Sequence, residues 1–441
     1  MANVLKNQAE ILAKLNIEQL NTMQLDTQKA FQKSPNLVLL SPTGTGKTLA
    51  FLLPIISQLE EKCTEIQAVI VVPTRELAIQ IEQVVRSLGS GFKSNAVYGG
   101  QSFSTDLIHL KHPPAILIGT PGRLSDHLRR NTFKIEDITT LVLDEFDKSL
   151  EIGFELEMKA IIAALPKIKQ KILTSATAGV EIPAFIKLKQ PLVLNYLKEK
   201  VDLLTIQLVV SPTKDKLETL VELLNHLNGQ SGIIFCNFKE TIQRVSDFLN
   251  EHDFNHGIFF GGMEQRDRER ALIQFRNGSF KILLATDLAA RGIDVPEMQY
   301  IIHYQLPLRK EEFTHRNGRT ARMHQEGTAY VIHFEKEPLP DFISESNPQK
   351  FELKAPVKAT VAKTAEWTTL FISGGRKDKI SKGDIAGLCF KIGGLQKEEL
   401  GVIELKDDCA FVAVAAHKAN ALIAKINNTK LKQKKVRISI V

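Results

Sequence analysis

The chain has 441 residues, too many for one ordinary core, so two or three separately packed units are expected. Hydrophobic residues at 43% and charged residues at 24% fit a soluble globular protein, and no run of ~18 apolar residues marks a membrane span. The net charge of +7 and a pI near 9.0 suit a polyanionic partner without specifying one, while four scattered cysteines (Cys63, Cys236, Cys389, Cys409) without a C-x-x-C pair point to reduced thiols in the cytoplasm and no structural zinc.

The first segment, "MANVLKNQAEILAKLNIEQL", alternates apolar and polar residues with helical spacing, which predicts a helix rather than a secretory leader. Short apolar runs follow: "NLVLLSP", "AVIVVP", "AILIGT", "TLVLDEF" and "KILTSAT", each separated from the next by a longer amphipathic stretch. Runs of this kind suit strands buried on both faces of a parallel sheet, with helices crossing over between them. A region around Lys198 to Thr213 interrupts the rhythm, which returns in "SGIIFCN", "HGIFFGG", "KILLATD", "YIIHYQ" and "GTAYVIHF", ending near Phe334. The expected fold class is therefore α/β, with two tandem parallel-sheet domains at 1–200 and 201–335 whose ligands sit at the carboxyl ends of the strands. Between Lys336 and Thr364 the periodicity fades and Pro338, Pro340, Pro348 and Pro356 interrupt it, which reads as a linker at 336–364. Beyond it, "WTTLFISGG", "GVIELKDD", "CAFVAVAA", "HKANALIAKIN" and "KVRISIV" predict a compact α+β domain at 365–441.

Two stretches carry chemistry. "SPTGTGKT" (Ser41 to Thr48) lies between a strand and a helical pattern, where Gly44 and Gly46 let backbone amides close around phosphates, Lys47 supplies charge and the Thr48 hydroxyl can ligate Mg²⁺. Ser41 stands where the usual first glycine would be. "LVLDEFDKSL" ends another apolar run in Asp144, Glu145 and Asp147. Carboxylates after a strand are most often solvated, but beside a phosphate loop Asp144 would hold Mg²⁺ through water and Glu145 would polarise the attacking water, with Phe146 pointing the other way if the strand continues.

With these elements in order, the chain resembles the DEAD-box RNA helicases, "DEFD" standing at the name-giving tetrapeptide. The resemblance covers both lobes and implies two tandem RecA-like domains. "PTRELA" (Pro73 to Ala78), the glycine pair Gly99 and Gly100, and "TPGR" (Thr120 to Arg123) are similar to RNA-contacting motifs, and "SAT" (Ser175 to Thr177) to the element coupling nucleotide state to strand separation. "ATDLAARGID" (Ala285 to Asp294) and "HRNGRTAR" (His315 to Arg322) match the last two motifs. The resemblance implies ATP and Mg²⁺ as cofactors. It places Gln24, Ser41, Thr45, Gly292 and Asp294 on ATP with the phosphate loop, Asp294 taking the ribose hydroxyl. Arg319 and Arg322 become arginine fingers on the transferring phosphoryl group, and His315 joins Asp147, Ser175 and Thr177 in a polar network. RNA contacts fall to Thr74, Arg75, Gly99, Gly100, Thr120, Gly122 and Arg123 in the first lobe and Gln265, Arg268 and Thr286 in the second, mostly on the ribose-phosphate backbone. The adenine-reading segment departs from the family pattern: "LNTMQ" keeps Gln24 but has Leu20 and Asn21 for proline and threonine, and Asn7 stands at the upstream aromatic position.

"LFISGG" and "CAFVAVAA" resemble the central strands of an RRM, with Phe371 and Phe411 either stacking on unpaired bases or belonging to the core, and Cys409 at a customary aromatic position. The segment from Trp367 to Leu388 is similar to the C-terminal domain of DbpA-type bacterial helicases, which implies anchoring to a 23S ribosomal RNA hairpin; Arg376, Lys377, Lys379 and Lys382, with the tail "KLKQKKVR", either offer phosphate contacts or form a solvated basic face. The expected function is ATP-dependent remodelling of structured RNA, 23S rRNA in pre-50S particles, by a cytoplasmic monomer with no membrane partner. A non-catalytic, nucleotide-gated RNA clamp and a DNA helicase are the alternatives; Lys47, Glu145, Arg319 and Arg322 together favour catalysis.

Overall fold

The computed structural model describes residues 7–42, 44–177, 181–197, 204–287, 298–320, 326–353 and 365–441. It divides into two compact units, one holding the first sheet and ending near residue 203, the other beginning at Leu204 and holding the second sheet together with the C-terminal domain.

In the first unit, β1 (Asn36–Leu40), β2 (Ala68–Val71), β3 (Ser94–Val97), β4 (Ile116–Gly119), β5 (Thr140–Leu143), β6 (Gln170–Ser175) and β7 (Leu192–Asn195) form a parallel sheet in the order β3-β4-β2-β5-β6-β1-β7. Successive residues of the central strands enter opposite cores: Ala68 and Ile70 pack on one face with Ile118 and Val142, and Val69 and Val71 on the other with Leu117 and Leu141. Burial on both faces explains why these strands read as unbroken apolar runs.

The second unit repeats the plan. Strands β8 (Leu204–Ser211), β9 (Gly232–Phe235), β10 (His256–Phe259), β11 (Ile282–Ala285), β12 (Tyr300–His303), β13 (Gly327–Phe334) and β14 (Gln349–Phe351) run parallel in the order β10-β11-β9-β12-β13-β8-β14. Subtracting seven from each number gives the strand order of the first sheet.

Two sequence expectations change here. The interrupted region around Lys198 to Thr213 contains β8, paired along its length with β13. The expected linker at 336–364 is shorter, because Asp341–Ser344 is helical and β14 adds to the sheet beside β8. Pro340 caps that helix and Pro348 precedes an edge strand, both positions where proline costs no ladder hydrogen bond.

At the end of β8, Lys216 (φ 22) precedes the helix Leu217–Leu227 and turns its ammonium inward, donating to the carbonyl oxygens of Tyr304 and, at 3.1 Å, Ile332. Burial lowers its pKa to about 8.

In the C-terminal domain, β15 (Trp367–Ile372), β16 (Leu400–Leu405) and β17 (Ala410–Ala415) form an antiparallel sheet with the last strand, Ile438–Ile440, in which β17 and β15 are central. Leu370, Ile372, Val412 and Val414 enter a core closed by Ile385, Leu422 and Ile426 from two helices.

Candidate functional site

The phosphate loop leaves β1 through backbone that glycine adopts without strain. Gly46 (φ 87) lies directly before the helix Lys47–Gln58, and a Cβ there would stand 2.6 Å from Gln24 Nε2; Gly44 has φ 82. Ser41 is buried, its Oγ 2.7 Å from Thr45 Oγ1, which in turn donates to the Pro42 carbonyl at 2.9 Å. The serine at the first glycine position thus knits the loop together. Lys47 Nζ donates to the Ser41 and Pro42 carbonyls at 2.6 and 2.7 Å, which holds its charge inside the loop, and half-buried Thr48 follows it.

Asn21 has a definite task. Its side chain accepts from Gln24 N at 2.9 Å while Gln24 Oε1 accepts from Asn21 N at 3.0 Å, a reciprocal cap on the helix Thr22–Lys33. The remaining amide protons reach the loop: Asn21 Nδ2 donates to Thr45 O at 3.1 Å and Gln24 Nε2 to Gly46 O at 3.3 Å. Asn7 likewise caps the helix Gln8–Lys14 with Glu10.

Strand β5 stops at Leu143, and Glu145 takes a left-handed conformation (φ 47). The turn that results starts the helix Phe146–Glu151, so Phe146 does not continue the strand; it is 1% exposed, in the core with Leu141, Leu143 and Met158. Asp144 is 4% exposed and accepts from the Thr174 hydroxyl, which also receives the Glu145 N–H at 3.1 Å. Burial, then the neighbouring Glu145 charge, push the Asp144 carboxyl up to about 6, against the pull of Thr174 and Lys47. Asp147 Oδ2 accepts from Thr177 Oγ1 at 2.8 Å, and Ser175 Oγ accepts the Thr177 N–H at 2.9 Å. The other oxygen, Asp147 Oδ1, is buried without a hydrogen-bond partner among the described residues. The two aspartates therefore connect to different residues of one strand end.

A raised carboxyl pKa means that the folded state holds the proton more tightly than the unfolded chain. Ionised Asp144 then costs stability that grows as pH rises from the ordinary 3.8 through about 6 and is complete above that. Asp144→Asn is expected to raise the melting temperature of nucleotide-free protein near pH 7.5, with a smaller gain at about pH 4.5, measurable by calorimetry.

Neighbouring strands carry the second set of residues. Thr74 and Thr120 occupy the N-caps of the helices Arg75–Leu88 and Pro121–Arg129, after β2 and β4, and Thr74 Oγ1 accepts from Leu77 N at 3.3 Å. First-turn amides of such helices attract phosphate oxygens. The Arg75 guanidinium lies against Gly99 and Gly100 after β3, and any Cβ on Gly100 (φ 90) would collide with it. Arg123 Nε donates to Tyr98 O at 3.0 Å, its guanidinium also reaches Gln101 O, and it pairs with Asp106 Oδ2 at 3.3 Å. Gly122 faces open space. One sheet edge thus presents the loops of β3, β4 and β2 and, continuing across, those of β5, β6 and β1.

In the second lobe, Gln265 opens the helix Gln265–Arg276, the Arg268 guanidinium sits 4.5 Å over the Phe259 ring and donates to Phe260 O at 3.2 Å, and Thr286 N–H donates to Phe259 O at 3.3 Å. The ends of β10 and β11 bring these three together. His315 belongs to the helix Lys310–Asn317 and is 7% exposed; Arg319, in the turn beyond, is 5% exposed. Gly292, Asp294 and Arg322 lie outside the described residues.

Sequence reasoning missed two buried clusters. Arg316, 1% exposed, is held bidentately by Asp287 (Nε to Oδ1 2.7 Å, Nη2 to Oδ2 2.5 Å), donates to Asn237 Oδ1 and Gln305 O at 2.7 Å each, and lies over the Phe235 ring. Asp106 joins Arg123 to His127, whose Nε2 is 3.1 Å away. Asp287, two residues past the end of β11 in "ATD", was the available signal for the first; the second has none in local sequence.

In the C-terminal domain Arg376, Lys377, Lys379 and Lys382 are all exposed, Arg376 lying 3.4 Å from Asp407. Phe411 is buried and Phe371 half-buried, both outside the cluster of Leu370, Ile372, Val412 and Val414; they pair edge to face across β15 and β17, centroids 5.7 Å apart. The four cysteines are free. Among the described residues no helix is long and apolar enough to cross a membrane.

Comparison with known proteins agrees with this geometry. Residues 21–185 match the DEAD/DEAH box helicase family, 215–324 the helicase conserved C-terminal domain, and 369–440 the DbpA RNA binding domain. The chain is 32% identical over 438 residues to the ATP-dependent RNA helicase DbpA of Bacillus subtilis, covering 92% of this chain and 91% of the relative. It is 34% identical over 411 residues to the DbpA helicase of Escherichia coli, covering 90% and 89%. Among solved structures, Mss116p bound to single-stranded RNA and AMP-PNP aligns with a TM-score of 0.70 at 27% identity, over 80% of this chain and 78% of that one. Dbp5 of S. cerevisiae bound to RNA and ADP BeF3 aligns with a TM-score of 0.67 at 26% identity, over 75% and 88%. The paired parallel sheets, the loops on their carboxyl edges and these matches together make the chain a member of the DEAD-box ATP-dependent RNA helicases, enzymes that hydrolyse ATP, in the DbpA-like group with a dedicated RNA-binding domain.

Proposed function

We propose that this helicase remodels 23S ribosomal RNA during assembly of the large subunit, acting as a cytoplasmic monomer. The observation that carries the mechanism is the wiring of the DEFD turn to the SAT strand end, Asp144 to Thr174 and Asp147 to Thr177, on an edge shared with the Thr74, Gly100 and Arg123 loops. A change at the phosphates can reach the neighbouring loops through a few hydrogen bonds.

In this reading Gln24 reads adenine, Gly44, Thr45, Gly46 and Lys47 bind phosphates with Ser41 bracing the loop, and Glu145 orients the attacking water. Gly292 and Asp294 bind the nucleotide, and Arg319 and Arg322 stabilise charge on the transferring phosphoryl group. Ser175 and Thr177 complete the polar network around Asp147, and His315 serves the same coupling from the last motif. Mg²⁺ suits the donors present: Asp144, whose ionised form is disfavoured by burial and by Glu145, would hold the ion through water and be relieved by its charge, and the Thr48 hydroxyl would ligate it. When bound, the ion withdraws charge from the phosphate oxygens. Thr74, Arg75, Gly99, Gly100, Thr120, Gly122 and Arg123, with Gln265, Arg268 and Thr286, grip the RNA backbone without reading sequence.

Target choice falls to the C-terminal domain, with Arg376, Lys377 and Lys379 on phosphates. The relatives named DbpA and the matching RNA-binding domain support this assignment. In gel-shift competition, a ribosomal hairpin fragment is expected to displace labelled RNA at a tenth or less of the concentration an unrelated hairpin of equal length requires, on the order of 1.4 kcal/mol. Equal competition would remove the ribosomal reading and leave a general RNA helicase.

A further inference from the structure

The motif loops leave the carboxyl ends of the first sheet, and lysines gather at its amino ends. Between Pro166 and Pro191 the chain holds five lysines (Lys167, Lys169, Lys171, Lys187, Lys189) against one acid, Glu181. They alternate with Ile168, Ile186 and Leu188, which pack into the core, so Lys167, Lys169, Lys187 and Lys189 are exposed and Lys171 is half-buried. Hydrogen bonds draw the two runs together. At the start of β6, Lys171 N–H donates to Pro35 O at 2.8 Å, and its Nζ reaches the Ile186 and Lys187 carbonyls at 2.9 and 3.3 Å. Asn36, the first residue of β1, donates from Nδ2 to Lys189 O at 2.8 Å. Gln170 Nε2 donates to Ser34 O at 2.8 Å, directly after exposed Lys33, the last residue of the helix Thr22–Lys33. Three segments thus bring their lysines to one area.

This charge has no local counterweight. Among the described residues none of these lysines is ion-paired, while Glu136 and Asp137, before β5, bear on Lys134, which Glu65 also holds at 2.8 Å. Burial, then the neighbouring Lys187 charge, lower the pKa of Lys171. Like charges crowded without carboxylates cost stability, and a polyanion relieves that cost. The phosphate loop and the Thr74, Gly100 and Arg123 loops lie at the other ends of strands of four to six residues, on the order of 17–20 Å away. A short strand along that motif edge has no path to the lysines. A folded RNA held there presents its other helices at high effective concentration, and lysines, flexible point charges, suit phosphates at varied positions.

We propose that the amino edge of the first sheet is a second, sequence-independent RNA surface, where Lys33, Lys167, Lys169, Lys187 and Lys189 take phosphates from a double-helical part of the same RNA whose single strand lies on the motif edge. The first lobe then holds a folded RNA at two places and works on one of them. The inference rests on membership of the RNA helicases and is independent of the ribosomal assignment.

The test uses full-length protein carrying Lys167→Gln, Lys169→Gln, Lys187→Gln and Lys189→Gln together, with Lys171 kept because its ammonium braces the loop. A control with Lys62→Gln, Lys111→Gln, Lys336→Gln and Lys350→Gln, exposed lysines elsewhere, removes the same net charge. Binding of a short single-stranded RNA and of a folded RNA of several helices is measured across a range of salt concentrations. For the folded RNA the first variant is expected to lose at least tenfold in affinity at low salt, and its slope of log K against log salt to become shallower by about 2–4, roughly 0.9 for each phosphate no longer neutralised. Affinity for the short strand, and the ATP turnover it stimulates, are expected to stay within twofold, which shows that the lobe remains folded. In the wild type, folded RNA and not the short strand is expected to slow acylation of the four amines. Equal slopes for variant and wild type overturn the proposal, as does an equal loss in the control. Protection of these amines by anionic phospholipid vesicles and not by folded RNA overturns it too, and assigns the edge to a membrane surface.

Discussion

Glu145→Gln is expected to lower RNA-stimulated phosphate release by about 10²–10⁴-fold, the range for losing a positioned general base, while ATP and RNA still bind. The substitution preserves size and the backbone amide that donates to Thr174 Oγ1 at 3.1 Å, so the left-handed turn after β5 remains. Only the carboxylate's ability to take proton density from water is removed. Phosphate release by the intact protein would be measured alone, with ribosomal RNA and with a DNA of matched sequence, beside the variant. Stimulation by RNA and not by DNA, lost in the variant, is the outcome the proposed mechanism requires. RNA binding without any stimulated turnover in the wild type would instead indicate a nucleotide-gated clamp.

The second large effect concerns stability. Arg316→Ala is expected to destabilise the second lobe by about 3–5 kcal/mol, the usual cost of breaking a buried ion pair from one side. The loss leaves Asp287, Asn237 Oδ1 and Gln305 O without the guanidinium that joins them. Arg316→Lys retains charge but not the planar fork, and is expected to fall between the two. Denaturant unfolding of the full chain, followed by exchange at β9 and β12, separates this lobe from the first. An unchanged midpoint for both variants would remove the structural role assigned to Arg316.

The visibility of each element in the sequence follows its burial. Strands β1, β2, β4, β5, β6, β9, β11 and β12 stand inside their sheets and read as apolar runs. Strand β3 ("SNAV") is an edge, and β8 and β14 keep many exposed or half-buried positions, so their residues are mixed and resemble connecting chain, while β7 ("LVLN") is apolar but short and largely exposed. That is why β8 was lost in the interrupted region and β14 in the expected linker. The same limit applies to the site. Motif residues are local and were legible, whereas Asp106 with Arg123, or Asp287 with Arg316, is a contact that only the folded chain creates. Phe371 and Phe411 were assigned either to bases or to the core because alternation gives a face but not what lies against it.

The repeated strand order has a consequence for stoichiometry. β8 occupies in its sheet the place that β1 has in the other, and both run into Ser-Pro-Thr: "SPTGTGKT" directly after β1 and "SPTKDKLE" from the last residue of β8. At the position of Gly46 the second copy has Lys216, whose ammonium is tied to carbonyls of Tyr304 and Ile332 and so fills its own hollow. Among the described residues the strand order occurs twice, and the glycine–lysine phosphate loop follows only the first copy. One phosphate loop in two copies of the architecture fits a cycle that consumes one ATP at a time, with the second copy free of phosphate binding and open to another task.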